Sequence, residues 1–384
     1  MKVAVPAEVA PGERRVALMP DVVPSLTRAG LGVLVQSRAG VHALAPDAAY
    51  TAVGADVVET VDAADVDVLL HVRPLRPDVV AKLKPGAVTI GFCSPSTELD
   101  GVRALAQAQV TSFAMELVPR ISRAQSMDAL TSQALVAGYR CVLEAAMRLP
   151  RFFPLFMTAA GTVPPAKALV LGAGVAGLQA IATAKRLGAV VSAYDVRPAS
   201  ADEVRSMGGT FVHLDLEAVE GAGGYARELS ADRAARQQQL LAPYVADADV
   251  LITTAAIPGR RAPLLVTSAM LAGMKPGSVV VDLAAESGGN VEGSVPGEDL
   301  VVDVPQGAVR LVGVKDAAST MPVDASRLYA KNVTNLLLLM TKDGEVIANF
   351  DDEVVAGTCL THAGEVRHAP TAELLAANPT GGVL

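Results

Sequence analysis

The chain has 384 residues, more than one ordinary hydrophobic core holds, so two or more domains are expected. A hydrophobic fraction of 51% against 19% charged residues excludes wholesale disorder. With 32 Lys plus Arg against 40 Asp plus Glu, the formal charge of -8 argues against nucleic acid as a partner.

The opening Met1-Lys2-Val3-Ala4-Val5-Pro6 runs straight into Glu8, Glu13, Arg14 and Arg15, too short an apolar stretch for a secretory signal. No segment reads as the ~20-residue apolar helix of a membrane span, since 168–184 is broken by Gly172, Gly174, Gly177 and Gln179. Cys93, Cys141 and Cys359 lie far apart, which fits a reducing compartment and argues against a disulfide framework or zinc site. A cytoplasmic chain with no direct membrane insertion and no metal is the expectation.

Three phrases recur in the same order in the two halves. Leu26-Thr27-Arg28-Ala29-Gly30-Leu31-Gly32-Val33 parallels Ala184-Lys185-Arg186-Leu187-Gly188-Ala189-Val190-Val191, a helix, a glycine stop and an apolar strand. Ala64-Asp65-Val66-Asp67-Val68-Leu69-Leu70 resembles Ala246-Asp247-Ala248-Asp249-Val250-Leu251-Ile252, and Lys84-Pro85-Gly86-Ala87-Val88 echoes Lys275-Pro276-Gly277-Ser278-Val279. Such continuous apolar strands are buried on both faces, as in parallel sheets covered by helices. The fold class expected is α/β, with two Rossmann-like lobes. Apolar spacing predicts a strand over 110–117 and long connecting helices over 125–149 and 325–340. The first lobe is then discontinuous, 1–134 plus 307–384, with the second, 135–306, inserted.

The clearest motif follows the predicted strand Ala168-Leu169-Val170-Leu171. Gly172-Ala173-Gly174-Val175-Ala176-Gly177 comes next, then a predicted helix from Leu178 to Leu187. Gly172 allows the tight turn, Gly174 lets a pyrophosphate approach the backbone, and Gly177 lets helix and strand pack closely. The helix N-terminus supplies N–H groups and partial positive charge for phosphates. Asp195 ends a second strand about 20 residues on, where a carboxylate accepts hydrogen bonds from the adenosine ribose. That carboxylate favours NAD over NADP, while Arg197 nearby is a counter-argument. The first half has no equivalent glycine loop, so one dinucleotide per chain is expected.

Catalytic groups are harder to find. His42, His71, His213, His362 and His368 form no paired motif, and neither HxxxH nor GxSxG occurs. His71 alone stands at the C-terminal end of a strand, where open α/β sheets place ligands. Arg120-Ile121-Ser122-Arg123-Ala124-Gln125-Ser126-Met127-Asp128 is a denser polar run. Gln125 and Asp128 are three apart and share a face on a first helical turn; the same residues also read as a helix cap, with Ser122 or Ser126 capping and Asp128 on the dipole. Gly221-Ala222-Gly223-Gly224-Tyr225-Ala226 reads either as a mobile flap carrying one tyrosine or as an exposed linker.

Taken together, these runs resemble the NAD(H)-binding component of proton-translocating NAD(P) transhydrogenase, in the alanine dehydrogenase/transhydrogenase family. The likeness is carried by Pro119 to Asp128, by Met157-Thr158-Ala159-Ala160-Gly161-Thr162-Val163-Pro164-Pro165-Ala166, and by Gly172 to Ala189. Glu13-Arg14-Arg15-Val16-Ala17-Leu18-Met19-Pro20 and Asp282 to Asn290 extend it over nearly the whole chain. With no membrane helix before its end, the chain resembles the separate soluble alpha subunit of the split-subunit form.

The resemblance implies a homodimer of two-lobed subunits with NAD(H) in a cleft, NADP(H) on a partner subunit, and membrane-spanning partners that hold the chain peripherally at the inner membrane. It implies that Arg120, Ile121, Ser122, Arg123, Gln125, Asp128 and Thr131 line the nicotinamide end, with Gln125 facing the partner's nicotinamide. Gly172, Gly174, Val175 and Gly177 would hold the pyrophosphate, Asp195, Val196 and Arg197 the adenosine ribose, and Gly224 and Tyr225 the mobile loop. Thr131 departs from the family's usual serine but keeps a hydroxyl. Hydride transfer between two nicotinamide rings leaves no alkoxide to protonate, so Gln125, Arg120 and Asp128 would position rather than exchange protons. The alternative is an alanine dehydrogenase-like amino-acid oxidoreductase. Of that family's arginine, lysine, histidine and aspartate, Arg15 is retained, but the other positions read Arg73, Gly91-Phe92-Cys93-Ser94 and Glu286. A non-catalytic NAD-sensing module is a third class.

Overall fold

The computed structural model describes residues 1–216, 231–257 and 260–378. The chain falls into two compact units, Met1–Gln133 with Ser319–Leu384, and Ala134–Ala318. The return to the first unit therefore comes at Ser319, not at the expected 307, because the strand that begins at Gly307 is bonded into the second unit's sheet.

The first unit contributes β1 (Lys2–Val5), β2 (Gly32–Gln36), β3 (Asp56–Val58), β4 (Val68–Leu70), β5 (Val88–Gly91) and β6 (Thr111–Ala114). The second contributes a hairpin of β7 (Phe156–Thr158) and β8 (Gly161–Val163), then β9 (Lys167–Leu171), β10 (Val190–Tyr194) and β11 (Thr210–Phe211). β12 (Val250–Thr253), β13 (Val279–Asp282), β14 (Asp299–Val304) and β15 (Gly307–Gly313) complete it. After the return come a small hairpin, β16 (Thr341–Lys342) and β17 (Glu345–Val346), and then β18 (Cys359–His362) and β19 (Glu365–Val366).

The two large sheets share one winding. In the first, the order is β19-β18-β6-β5-β4-β1-β2-β3, with β1 to β6 parallel and β18 and β19 added antiparallel at one edge. In the second it is β11-β10-β9-β12-β13-β15-β14, parallel except for the edge strand β14. Read outward from its first strand, each follows the doubly wound order 3-2-1-4-5-6 of Rossmann-like sheets.

Composition explains the layers. β4, β12 and β13 are buried along their whole length. In β9 the alternation of a strand sends Ala168 and Val170 to one face, against Ala180, Ile181 and Ala184 of the helix Val175–Arg186. Leu169 and Leu171 go to the other face, against Leu241 and Val245 of the helix Ala231–Asp247.

Of the two long predicted helices, Ala129–Arg148 starts four residues later than expected, and Pro322–Leu339 sends Tyr329, Val333, Leu336 and Leu337 into the first unit's core. Residues Ser122–Met127 form a separate 3-10 turn, and the predicted strand 110–117 is β6 followed by a 3-10 turn over Met115–Leu117. No helix among the described residues is long and apolar enough to cross a membrane.

Candidate functional site

The glycine loop leaves β9 as expected. Gly172 has φ +98°, and a Cβ there would lie 2.8 Å from Thr254 Oγ1 and 2.9 Å from the Ala255 nitrogen. Gly177 is more constrained, since an added Cβ would sit 1.9 Å from the Gly172 oxygen. Above Gly174 there is nothing within 4 Å. The loop thus presents open space at the N-terminus of the helix Val175–Arg186, whose first N–H groups have no partner within the helix. These residues fit a pyrophosphate.

Asp195 closes the same end of the sheet. Its Oδ2 accepts the Ala173 N–H at 2.7 Å, tying the strand-end carboxylate to the glycine loop. Its Oδ1 accepts the Arg197 backbone N–H at 2.9 Å, and the Arg197 side chain bonds both oxygens, Nε to Oδ1 at 2.9 Å and Nη2 to Oδ2 at 3.0 Å. Arg197 therefore caps the carboxylate expected to read the ribose. Val196 packs partly buried beside it.

A brace missed in the sequence holds the neighbouring strand ends. Asp282, fully buried at the end of β13, accepts from Thr253 Oγ1 at 2.9 Å and from the N–H groups of Ala284 and Asn290, each at 3.0 Å. Asn290 bonds both backbone groups of Ala255 and the Pro263 carbonyl. Thr254 Oγ1 donates to the Gly172 carbonyl at 3.0 Å. Only the Asp282 to Asn290 run pointed there, with no spacing to say what it binds.

The first unit carries the second group of predicted residues. Arg120, Ser122, Arg123, Gln125 and Ser126 are exposed, while Ile121 packs partly on the core. Arg123 turns away to Asp352 and Glu353, its Nη groups meeting Asp352 at 2.7 and 2.9 Å. Asp128 is itself the cap of the helix Ala129–Arg148. It accepts the Thr131 N–H at 2.8 Å and the Thr131 hydroxyl at 2.6 Å, so Thr131 Oγ1 already has an acceptor. Gln125 lies in the preceding 3-10 turn, so it and Asp128 do not share a first helical turn. Gly224 and Tyr225 lie outside the described residues.

Among the described residues, no proton-transfer dyad accompanies these groups. His71 is buried with Nδ1 on the Arg73 carbonyl at 2.7 Å, and burial lowers its pKa to about 4. Arg15 and Arg73 both end on Glu13, which buried pairing to Arg15 holds down near about 2, against the opposing cost of desolvation. The thiol of Cys93 is buried and pushed well up by desolvation and the Glu116 carboxylate.

Two family models divide this chain between them: alanine dehydrogenase/PNT, N-terminal domain, over residues 4–137, and its C-terminal domain over residues 141–369. The chain belongs to the alanine dehydrogenase/PNT family. Within it, the chain is 47% identical over 380 residues to the first portion of the NAD(P) transhydrogenase subunit alpha of Rhodospirillum rubrum, covering 96% of this chain and 98% of that one. Identity to the alanine dehydrogenase of Mycobacterium tuberculosis is 33% over 307 residues, covering 77% of this chain and 76% of that one. The crystal structure of a transhydrogenase from Sinorhizobium meliloti superposes with a TM-score of 0.84 at 44% identity, covering 96% of this chain and all of that one.

Proposed function

We propose that this chain is the NAD(H)-binding alpha subunit of a proton-translocating NAD(P) transhydrogenase, passing hydride directly between NADH and NADP⁺ held by a partner subunit. One observation carries the reading. A chain similar over nearly its whole length to a transhydrogenase alpha subunit has an open glycine loop, and His71, at the end of β4, is buried on the Arg73 carbonyl.

Bound NADH supplies a hydride from nicotinamide C4 to the same carbon of NADP⁺, a transfer between like rings that leaves no oxyanion. What remains for the protein is to hold and orient. Gly172, Gly174, Val175 and Gly177 take the pyrophosphate, and Asp195 with Val196 and Arg197 the adenosine ribose. Arg120, Ile121, Ser122 and Thr131 complete the nicotinamide end, with Asp128 fixing the turn and Arg123 bracing it through Asp352 and Glu353 rather than lining the site. Gln125 and Arg120 orient the ring through polar contacts, as apposition at about 3–3.5 Å in a dry site requires.

The partners are a second copy of the chain, an NADP(H)-binding subunit and membrane-spanning subunits that couple the transfer to proton movement. They keep the chain on the cytoplasmic side of the inner membrane. An exposed apolar hairpin supports the homodimer: Phe152, Leu155, Phe156 and Met157 are all exposed along β7 and the approach to it.

Alanine dehydrogenase chemistry is the rival, and it needs a general acid/base for its imine chemistry. The positions that would supply one hold Arg73, Gly91-Phe92-Cys93-Ser94 and Glu286 instead, with Cys93 buried. Mixing the chain with an NADP(H)-binding transhydrogenase subunit and following reduction of an NADP⁺ analogue by NADH tests the reading. Transfer is expected. Turnover of pyruvate, ammonia and NADH by the chain alone would overturn it.

A further inference from the structure

The Glu13-Arg14-Arg15 phrase plays no part in holding a dinucleotide, yet it begins a continuous line of hydrogen bonds inside the first unit. Ser319 Oγ donates to Glu13 Oε1 at 2.6 Å, and Arg73 Nε to Glu13 Oε2 at 2.7 Å. Glu13 takes Nε and Nη2 of Arg15 at 2.8 and 2.7 Å. The remaining arm, Arg15 Nη1, donates to Gln133 Oε1 at 2.9 Å. Gln133 Nε2 reaches the Ala325 carbonyl at 3.1 Å and Ser132 Oγ at 3.2 Å. Ser132 Oγ donates to Asn332 Oδ1 at 2.7 Å, and Asn332 Nδ2 donates to the Ser126 carbonyl at 2.9 Å. Asn335, three residues on and so on the same helix face, adds a second donor to that carbonyl at 3.1 Å.

We propose that this line is a positioning device for the loop that carries Gln125, with Asn332 as the positioning residue that grips it. Three arguments support it. The gripped atom is the carbonyl next to Gln125 in a 3-10 turn, whose own hydrogen bonds are poor and which depends on outside anchors. The other two anchors act elsewhere, Arg123 on Asp352 before it and the Asp128 cap after it. Glu13, Arg15, Gln133 and Asn332 are all buried, where a half-satisfied polar network is costly, so the line holds or fails as a unit. Its direction is also fixed. Turning the Asn332 amide over would set its oxygen against the Ser126 carbonyl. The retained Arg15 thereby has a role that needs no amino-acid substrate.

The proposal rests on the reading of Gln125 as the residue beside the nicotinamide. Its test uses the whole chain with its NADP(H)-binding partner. Asn332→Asp keeps the shape and the acceptor for Ser132 but has no N–H for Ser126. Hydride transfer should fall about tenfold or more, as misplacement of a positioning group does, while the Kd for NADH stays within about twofold. Ser132→Ala should act in the same direction and Ser132→Thr, which restores a hydroxyl, should recover most of the rate. Hydrogen exchange should rise at the amides of 122–127 in Asn332→Asp. Unchanged exchange over 122–127, transfer at the wild-type rate where Gln125→Asn is slow, or a parallel loss of NADH affinity would each overturn the proposal. If wild type transfers no hydride yet exchange rises as described, the grip on the loop stands and the transhydrogenase reading falls.

Discussion

The two sheets have the same strand order and opposite contents at the same place. In the second unit the backbone after β9 opens onto empty space above Gly174, at the crevice where strand order reverses. In the first unit the corresponding crevice, between β1 and β4, is filled by the chain itself. Glu8 Oε1 accepts the Val72 N–H there at 2.5 Å, and at the neighbouring ends of β5 and β6 Glu116 accepts the N–H groups of Cys93 and Ser94 at 2.9 and 2.5 Å. Internal carboxylates occupy backbone donors that a ligand would otherwise take. A duplicated fold therefore does not imply a duplicated site, because the residues at the strand ends decide whether the crevice is open.

The sharpest way to break the comparison is to close the open crevice. Gly177→Ala would place a methyl 1.9 Å from the Gly172 oxygen, with backbone on the far side and no flexible side chain to yield. Overpacking of that kind costs about 3 kcal/mol, so NADH affinity should drop about a hundredfold. Titration by NADH fluorescence measures it in a chain that has no tryptophan to interfere. Affinity within threefold of wild type would mean that the loop is not the phosphate site.

Asp195→Ala asks for less. It removes the acceptor expected for the ribose and the bonds that Asp195 makes to the Ala173 N–H and to Arg197. Loss of hydrogen bonds to a charged group predicts about a tenfold weaker Kd for NADH, with a smaller loss or a gain for NADPH. Equal losses for both nucleotides would show that the carboxylate supports the loop rather than reads the ribose.

Much of this was legible in the sequence, and what went unread has a common cause. Repeated apolar phrases announce buried parallel strands, and Gly172 to Gly177 announces its own turn, because both signals are local. The 3-10 turn at 122–127 is not local. Ser122 and Ser126 are as good caps as Asp128 until the Thr131 N–H is seen to choose Asp128. Asn332 and Asn335 lie more than 200 residues from the carbonyl they grip, and nothing in an apolar helix pattern says where two amides will point. The late return at Ser319 was missed because β15 reads as one more apolar strand, equally suited to either sheet.

The smallest effect tests whether the filled crevice is sealed. His71, at the end of β4, donates Nδ1–H to the Arg73 carbonyl, and its Nε2 has no partner among the described residues. Buried and held neutral, with a pKa lowered to about 4 from 6.5, it takes up no proton in the folded chain until well below the pH at which it does so unfolded. Its contribution to stability is full above pH 6.5 and declines by about 1 kcal/mol per pH unit below that. Glu8 acts in the opposite sense. Desolvation raises its pKa to about 7, so the folded state gains relative stability as the pH falls toward 4.5. Glu13, held near about 2, begins to matter only below 4.5. His71→Asn, whose amide can replace the Nδ1–H donor, leaves both carboxylates in place and so isolates the imidazole. Denaturant melts at pH 7 and 5.5 should show wild type losing about 1 kcal/mol more than the variant between the two. Parallel losses would mean that water already reaches the imidazole, and that the first crevice is less closed than its carboxylates suggest.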